Sequence, residues 1–111
     1  MPLETTTEGN AWIIKVSGRM NPELILEFQQ VCQQSLEAGQ KHIVVDIGEL
    51  LYVSSLGLRA FVQLAKNVHG SDAVAVLCGM KGMVKEVFDM TNLGGLFPTF
   101  DSIEAAIASF R

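Results

Sequence analysis

Two short runs limit what this chain can become: Ile43-Val44-Val45-Asp46-Ile47 and Ala73-Val74-Ala75-Val76-Leu77-Cys78. Each is nearly continuous in apolar, largely β-branched residues and lacks an alternating polar face, as expected of a strand covered on both sides. Between them Leu58, Phe61, Val62, Ala65 and Val68 recur at helical spacing, and His69-Gly70 closes that segment. A buried strand, a helix and a second buried strand call for a layered α/β arrangement with helices packed on a sheet. With 49% hydrophobic and 18% charged residues, the chain has enough apolar material to cover such a sheet.

The flanking segments complete that layer. Thr5 and Thr7 alternate with Glu4, Thr6 and Glu8, Gly9-Asn10 supplies a turn, and Ala11 to Ser17 continues as a strand with Trp12, Ile14 and Val16 on one face. Asn21-Pro22-Glu23 opens a helix, since Asn caps, Pro fits the first helical position and Glu favours the positive end. Ile25, Phe28, Cys32 and Leu36 form its inner stripe and Gly39 stops it. Further on, Met83, Val84, Val87, Phe88 and Thr91 trace one face of a third helix, and Gly94-Gly95 interrupts the chain. Leu96 to Phe100 reads as a short edge strand because of Pro98, and Asp101-Ser102-Ile103-Glu104 as a capping box for a last helix burying Ile103, Ala106, Ile107 and Phe110. The prediction is an α/β fold with a mixed central β-sheet of four to five strands and about four α-helices. At 111 residues it is expected to form one domain, 1–111, without linker or tail.

Charge and composition exclude several functions. Eight basic against twelve acidic residues leave a net charge of -4 with no basic run, so direct nucleic-acid binding is not expected. The first eight residues carry neither a basic nor an apolar leader, and no apolar run reaches the ~18 residues that span a bilayer, which predicts a cytoplasmic protein without a membrane partner. Cys32 and Cys78 lack C-x-x-C spacing and read as reduced core thiols. His42, His69, Asp46 and Asp72 form no metal-ligand spacing, so no metal or cofactor is expected.

Ser54-Ser55 marks the junction between the Tyr52-Val53 segment and the following helix, at the end of the sheet where α/β proteins present their binding loops. Either serine can cap the helix, and capping alone is the ordinary reading of such a pair. Leu56 lies off the 58, 61, 62, 65, 68 stripe and so points outward beside Ser55, while Gly57 reads as a site of close backbone approach by a partner. Val53-Ser54-Ser55-Leu56-Gly57 is not a G-x-S-x-G elbow and neither histidine is near in sequence, so Ser55 lacks the partners of a serine nucleophile and the chain is read as a binding module, not an enzyme. An uncharacterised activity with Ser55 or Cys78 as nucleophile is the remote enzymatic alternative.

The run from Val44-Val45-Asp46-Ile47 through Tyr52-Val53-Ser54-Ser55-Leu56-Gly57-Leu58-Arg59 resembles the signature of the STAS domain, in the branch of bacterial anti-sigma factor antagonists. The resemblance extends to Val16-Ser17-Gly18-Arg19-Met20, to Val87-Phe88-Asp89-Met90 with Leu93 and Phe97, and to Ser102-Ile103-Glu104-Ala105-Ala106, and so covers essentially the whole chain. It implies a domain that binds an anti-sigma factor which is also a serine kinase, frees the sigma factor, and is switched off by phosphorylation. By position it makes Ser55 the phosphoacceptor, with Ser54 and Asn21 standing where many members carry aspartate. It further implies a phosphatase that resets the switch, ATP and magnesium held by the kinase, and a monomer or weak dimer. The expected partner surface gathers Ser54, Ser55, Leu56, Gly57 and Arg59 with two loops at the same sheet end, Arg19, Met20 and Asn21 after the second strand and Met80 and Lys81 after Cys78; plain loop packing is the other reading of Met20 and Met80, and a solvated helix arginine that of Arg59. The alternative within the same family is a constitutive scaffold subunit of a signalling or lipid-transport complex.

Overall fold

The computed structural model describes residues 2–110. The chain runs β1 (Leu3–Glu8), β2 (Ala11–Val16), β3 (Gly18–Arg19), α1 (Pro22–Glu37), β4 (His42–Asp46), β5 (Leu50–Tyr52), α2 (Ser55–Gly70), β6 (Val74–Cys78), α3 (Gly82–Met90), a 3₁₀ turn at Leu93–Leu96, β7 (Thr99–Phe100) and α4 (Ile103–Ala108). Five strands form one mixed sheet in the order β1-β2-β4-β6-β7. The β1–β2 hairpin is antiparallel, whereas β2–β4, β4–β6 and β6–β7 are parallel. The sheet, its composition and the four helices agree with the sequence-based expectation.

Strand periodicity divides the core between the two faces of the sheet. Ile14, Val16, Ile43, Val45, Ala75 and Leu77 point to the layer that holds α1, α2 and α3. Ala11, Ile13, Val44, Val76 and Cys78 point the other way, where Ala106 of α4 covers them. The three-helix layer is tied by aromatic rings: Phe28 of α1 lies 5.0 Å from Phe61 of α2, which lies 5.2 Å edge-on from Phe88 of α3. All three are fully buried, and such pairs contribute ~0.5–1.5 kcal/mol beyond the area they remove from water. Double-sided burial explains why β4 and β6 lack a polar face.

Four local expectations change. The buried stripe of α2 is Gly57, Ala60, Phe61, Leu64 and Val68, so Leu58, Val62 and Ala65 sit half-buried on its flank. In α1 Ser35 rather than Leu36 is fully buried, its hydroxyl donating to the Cys32 carbonyl at 2.8 Å. Met83 is 61% exposed and off the inner face of α3, where Val84 and Phe88 are buried. The last helix is capped by Ser102, which accepts from the Ala105 amide, one residue later than a box opening at Asp101. A further element has no counterpart in the sequence reading: β3 and β5 pair in parallel as a separate two-stranded sheet.

Candidate functional site

That small sheet sets the geometry of the serine junction. The Gly18 amide donates to the Glu49 carbonyl at 3.0 Å and the Met20 amide to the Tyr52 carbonyl at 3.1 Å, so the segment before α1 is stitched to the segment before α2. The two helices therefore start side by side. Asn21 caps α1, its Oδ1 accepting from the Leu24 amide at 2.8 Å, and Ser54 caps α2, its Oγ accepting from the Gly57 amide at 3.3 Å. With Ser54 engaged in extended backbone conformation, Ser55 becomes the first residue of the helix and is exposed. No acidic residue occupies the first turn of α2, so the positive N-terminal end beside Ser55 has no carboxylate within its own helix.

Apolar and cationic groups are exposed on the segments that lead to and follow this junction. Leu56 is 57% exposed, Leu51 68% and Tyr52 38%, an uncommon concentration of free apolar surface within six residues of one chain segment. The Arg19 guanidinium stands over the Tyr52 ring at 4.6 Å, a cation–π contact across the β3–β5 pair. Arg59, one turn after Ser55, lines an open groove with it. At the adjoining sheet end the loop after β6 is drawn tight against the loop after β4. Gly79 takes φ +79°, and a Cβ there would stand 2.9 Å from the Gly48 Cα. This close approach carries half-buried Met80 and exposed Lys81 into α3, which packs against β5.

This arrangement of elements recurs in known proteins. The STAS domain profile matches residues 2–106. The chain belongs to the STAS domain family. BtrV of Bordetella bronchiseptica, a candidate anti-sigma factor antagonist, is 38% identical over 68% of this chain and 66% of its own length. The anti-sigma-B factor antagonist of Staphylococcus aureus is 26% identical over 92% of this chain and 94% of its own length. Among solved structures, the anti-sigma factor antagonist SpoIIAA in its unphosphorylated form superposes with a TM-score of 0.85 at 15% identity, covering 98% of this chain and 96% of that one. The phosphorylated form of SpoIIAA, a Bacillus cell-fate determinant, superposes with a TM-score of 0.79 at 14% identity, covering 98% and 99%. At these identities the superpositions speak to the fold.

Within this STAS domain the residues singled out from sequence fall into two groups. Arg19, Asn21, Ser55, Leu56, Arg59 and Lys81 are exposed, and Ser54 and Met80 are half-buried. Met20 and Gly57 are corrected: both are buried, and they face each other. A Cβ on Gly57 would lie 3.2 Å from the Met20 sulfur and 2.7 Å from Val53 Cγ2, so the glycine admits the chain's own β3 connection rather than a partner. Met20, 2% exposed, pins β3 beneath the serine turn. Leu51 and Tyr52 are surface residues that sequence reasoning passed over; alternation from buried Leu50 signals Leu51 alone, and the exposure of Tyr52 on the same strand has no such signal.

The remaining nucleophile is inert by environment. Burial pushes the Cys78 thiol up to about 12, and the Asp46 and Glu104 carboxylates push in the same direction. A thiol so shifted stays protonated at neutral pH and is a poor nucleophile. Asp46 itself serves the turn out of β4, accepting from the Gly48 amide at 3.0 Å.

Proposed function

We propose that this chain is an anti-sigma factor antagonist that binds an anti-sigma factor with serine-kinase activity through the face around Ser55, and that phosphorylation of Ser55 releases the partner. The observation that carries the reading is the division of labour in the serine pair: Ser54 is spent on the helix cap, while Ser55 is exposed beside Leu56 at the mouth of the helix. A kinase can reach that hydroxyl without unfolding the domain. The names of the relatives, anti-sigma factor antagonists at 26% identity over nearly the whole chain and BtrV at 38%, support the same partner class.

The electrostatics favour release over refolding. A phosphoserine adds about 1.5 to 2 negative charges at neutral pH. At a helix N-terminus that charge is favourable by only ~0.3 to 2 kcal/mol, so the domain stays folded. A partner carboxylate ~4 Å away meets a repulsion of ~4 kcal/mol per charge pair at an effective dielectric of 20, about a thousandfold in affinity. The exposed Leu51, Tyr52 and Leu56 supply the apolar part of the contact, and desolvated aromatic and aliphatic anchors of this kind carry most of the energy of a protein interface.

The test mixes the purified chain with its cognate anti-sigma kinase and ATP, followed by mass spectrometry and binding measurements. Phosphate on Ser55, wild-type affinity for Ser55→Ala without ATP, and a loss of at least about a hundredfold for Ser55→Glu are expected. Undiminished binding of Ser55→Glu, or phosphate only elsewhere, refutes the switch. Binding that is blind to both variants and to ATP points instead to a constitutive scaffold.

A further inference from the structure

The half-buried flank of α2 is the part of the fold that the serine face does not use. Leu58, Val62 and Ala65 follow one another at helical spacing along it and form the floor of an open groove. Leu93 and Leu96 of the 3₁₀ turn make the opposite wall. The groove has two stretches of about 510 and 430 Å³ that share Val62 and Lys66, and it runs from Ser55 to His69, about 21 Å along the helix axis at 1.5 Å per residue. Arg59 and Lys66 stand exposed on its rim two turns apart, and among the described residues none that lines either stretch bears a carboxylate. On a chain of net charge -4 this strip runs against the overall sign.

We propose that this groove receives an acidic amphipathic helix of a protein partner, its apolar stripe on Leu58, Val62 and Ala65 and its carboxylates on Arg59 and Lys66. The groove is open along its length, whereas sites for small molecules enclose most of the ligand's surface. Its dimensions match about four turns of helix laid alongside α2, the mode in which anchors at i, i+3, i+4 and i+7 enter an apolar trough. Its charge selects an acidic occupant. The inference extends the reading of Ser55 and rests on it in one respect: Ser55 lies at the groove's end, one turn from Arg59, so a phosphate there competes with the partner's carboxylates for Arg59 and repels them.

The probe is a synthetic, side-chain-stapled helix of about 18 residues with a leucine stripe flanked by glutamates, titrated into the isotope-labelled full chain and followed by amide chemical shifts. A second peptide replaces every glutamate with lysine, and sodium oleate serves as an amphipathic anion that is not a helix. The expected result is perturbation of Leu58, Val62, Lys66, Leu93 and Leu96 by the acidic peptide. The lysine peptide, and the acidic peptide on an Arg59→Glu/Lys66→Glu variant with an unchanged folded spectrum, should each bind at least about tenfold more weakly. Equal binding of the two peptides, shifts confined to other surfaces, no shift at about 1 mM peptide, or occupancy by oleate and not by the acidic helix overturns the proposal. The two readings fail separately. Peptide binding is measured on unphosphorylated protein without an anti-sigma factor, and the effect of Ser55→Glu on the anti-sigma factor is measured without the peptide.

Discussion

Ser54 and Ser55 carry the same hydroxyl one residue apart, but only the first is tied through it to the backbone of the helix it precedes. Its contact with the Gly57 amide, at 3.3 Å, lies beyond the usual 2.7–3.2 Å of N–H···O bonds, which places the cost of its loss at the lower end of measured caps. Ser54→Ala is therefore expected to lose about 0.5–1 kcal/mol in urea denaturation, and Ser55→Ala less than about 0.5 kcal/mol because its side chain is exposed. Equal losses for the two variants would mean that both serines support the helix and that Ser55 is not free for modification. Spacing alone located the pair and left either serine able to cap. The resemblance to STAS domains separated their roles, and the hydrogen bond supplies the physical basis. Met20 and Gly57 read differently because a buried methionine and a buried glycine look, in one dimension, like adaptable and permissive surface residues. What decides their place is each other.

At the scale of elements, β4 and β6 were legible because burial on both faces leaves no polar alternation to confuse the pattern. The β3–β5 pair was not: two and three residues long, it is held by bonds between Gly18 and Glu49 and between Met20 and Tyr52, partners more than thirty positions apart that no local period announces. The phase of α2 was shifted for a related reason. A stripe drawn through the bulky apolar residues passes over buried Gly57 and Ala60, yet the bare Gly57 is what lets the helix approach Val53 and Met20. Gly57→Ala tests this contact. Helix propensity favours alanine by ~1 kcal/mol, while the Cβ placed 2.7 Å from Val53 Cγ2 forces an overpacking cost of ~1–3 kcal/mol, so a net loss of about 1 kcal/mol is expected. Combined with Val53→Ala, which removes the crowded methyl, the loss is expected to fall short of the sum of the single losses by about 0.5 kcal/mol or more. Strict additivity would show that the helix does not meet Val53 there.

Over the whole molecule, the two thiols report on both halves of the core at once, since Cys32 lies in the layer of α1 to α3 and Cys78 in the layer under α4. Burial pushes both up to about 12 from the ordinary value of 9.0, with Asp46 and Glu104 adding to the shift at Cys78. A raised native value means that the folded chain holds its protons where the unfolded chain has released them. The contribution is then fully present below pH 9 and is lost as pH climbs toward 12. Two such thiols steepen the fall in stability by about 2.7 kcal/mol per pH unit within that window. Against a typical domain stability of ~5–15 kcal/mol, this alone brings the fold near its limit within a few pH units. A Cys32→Ala/Cys78→Ala variant is expected to be less stable at pH 7 but to lose this part of the slope between pH 9 and 11. Every other side chain is common to the two proteins, so the difference from wild type isolates the thiols. Half that difference, about 1.4 kcal/mol per pH unit, would mean that one core layer opens to solvent, and parallel curves for the two proteins would mean that both do, and with them the apolar support on which the Ser55 face is mounted.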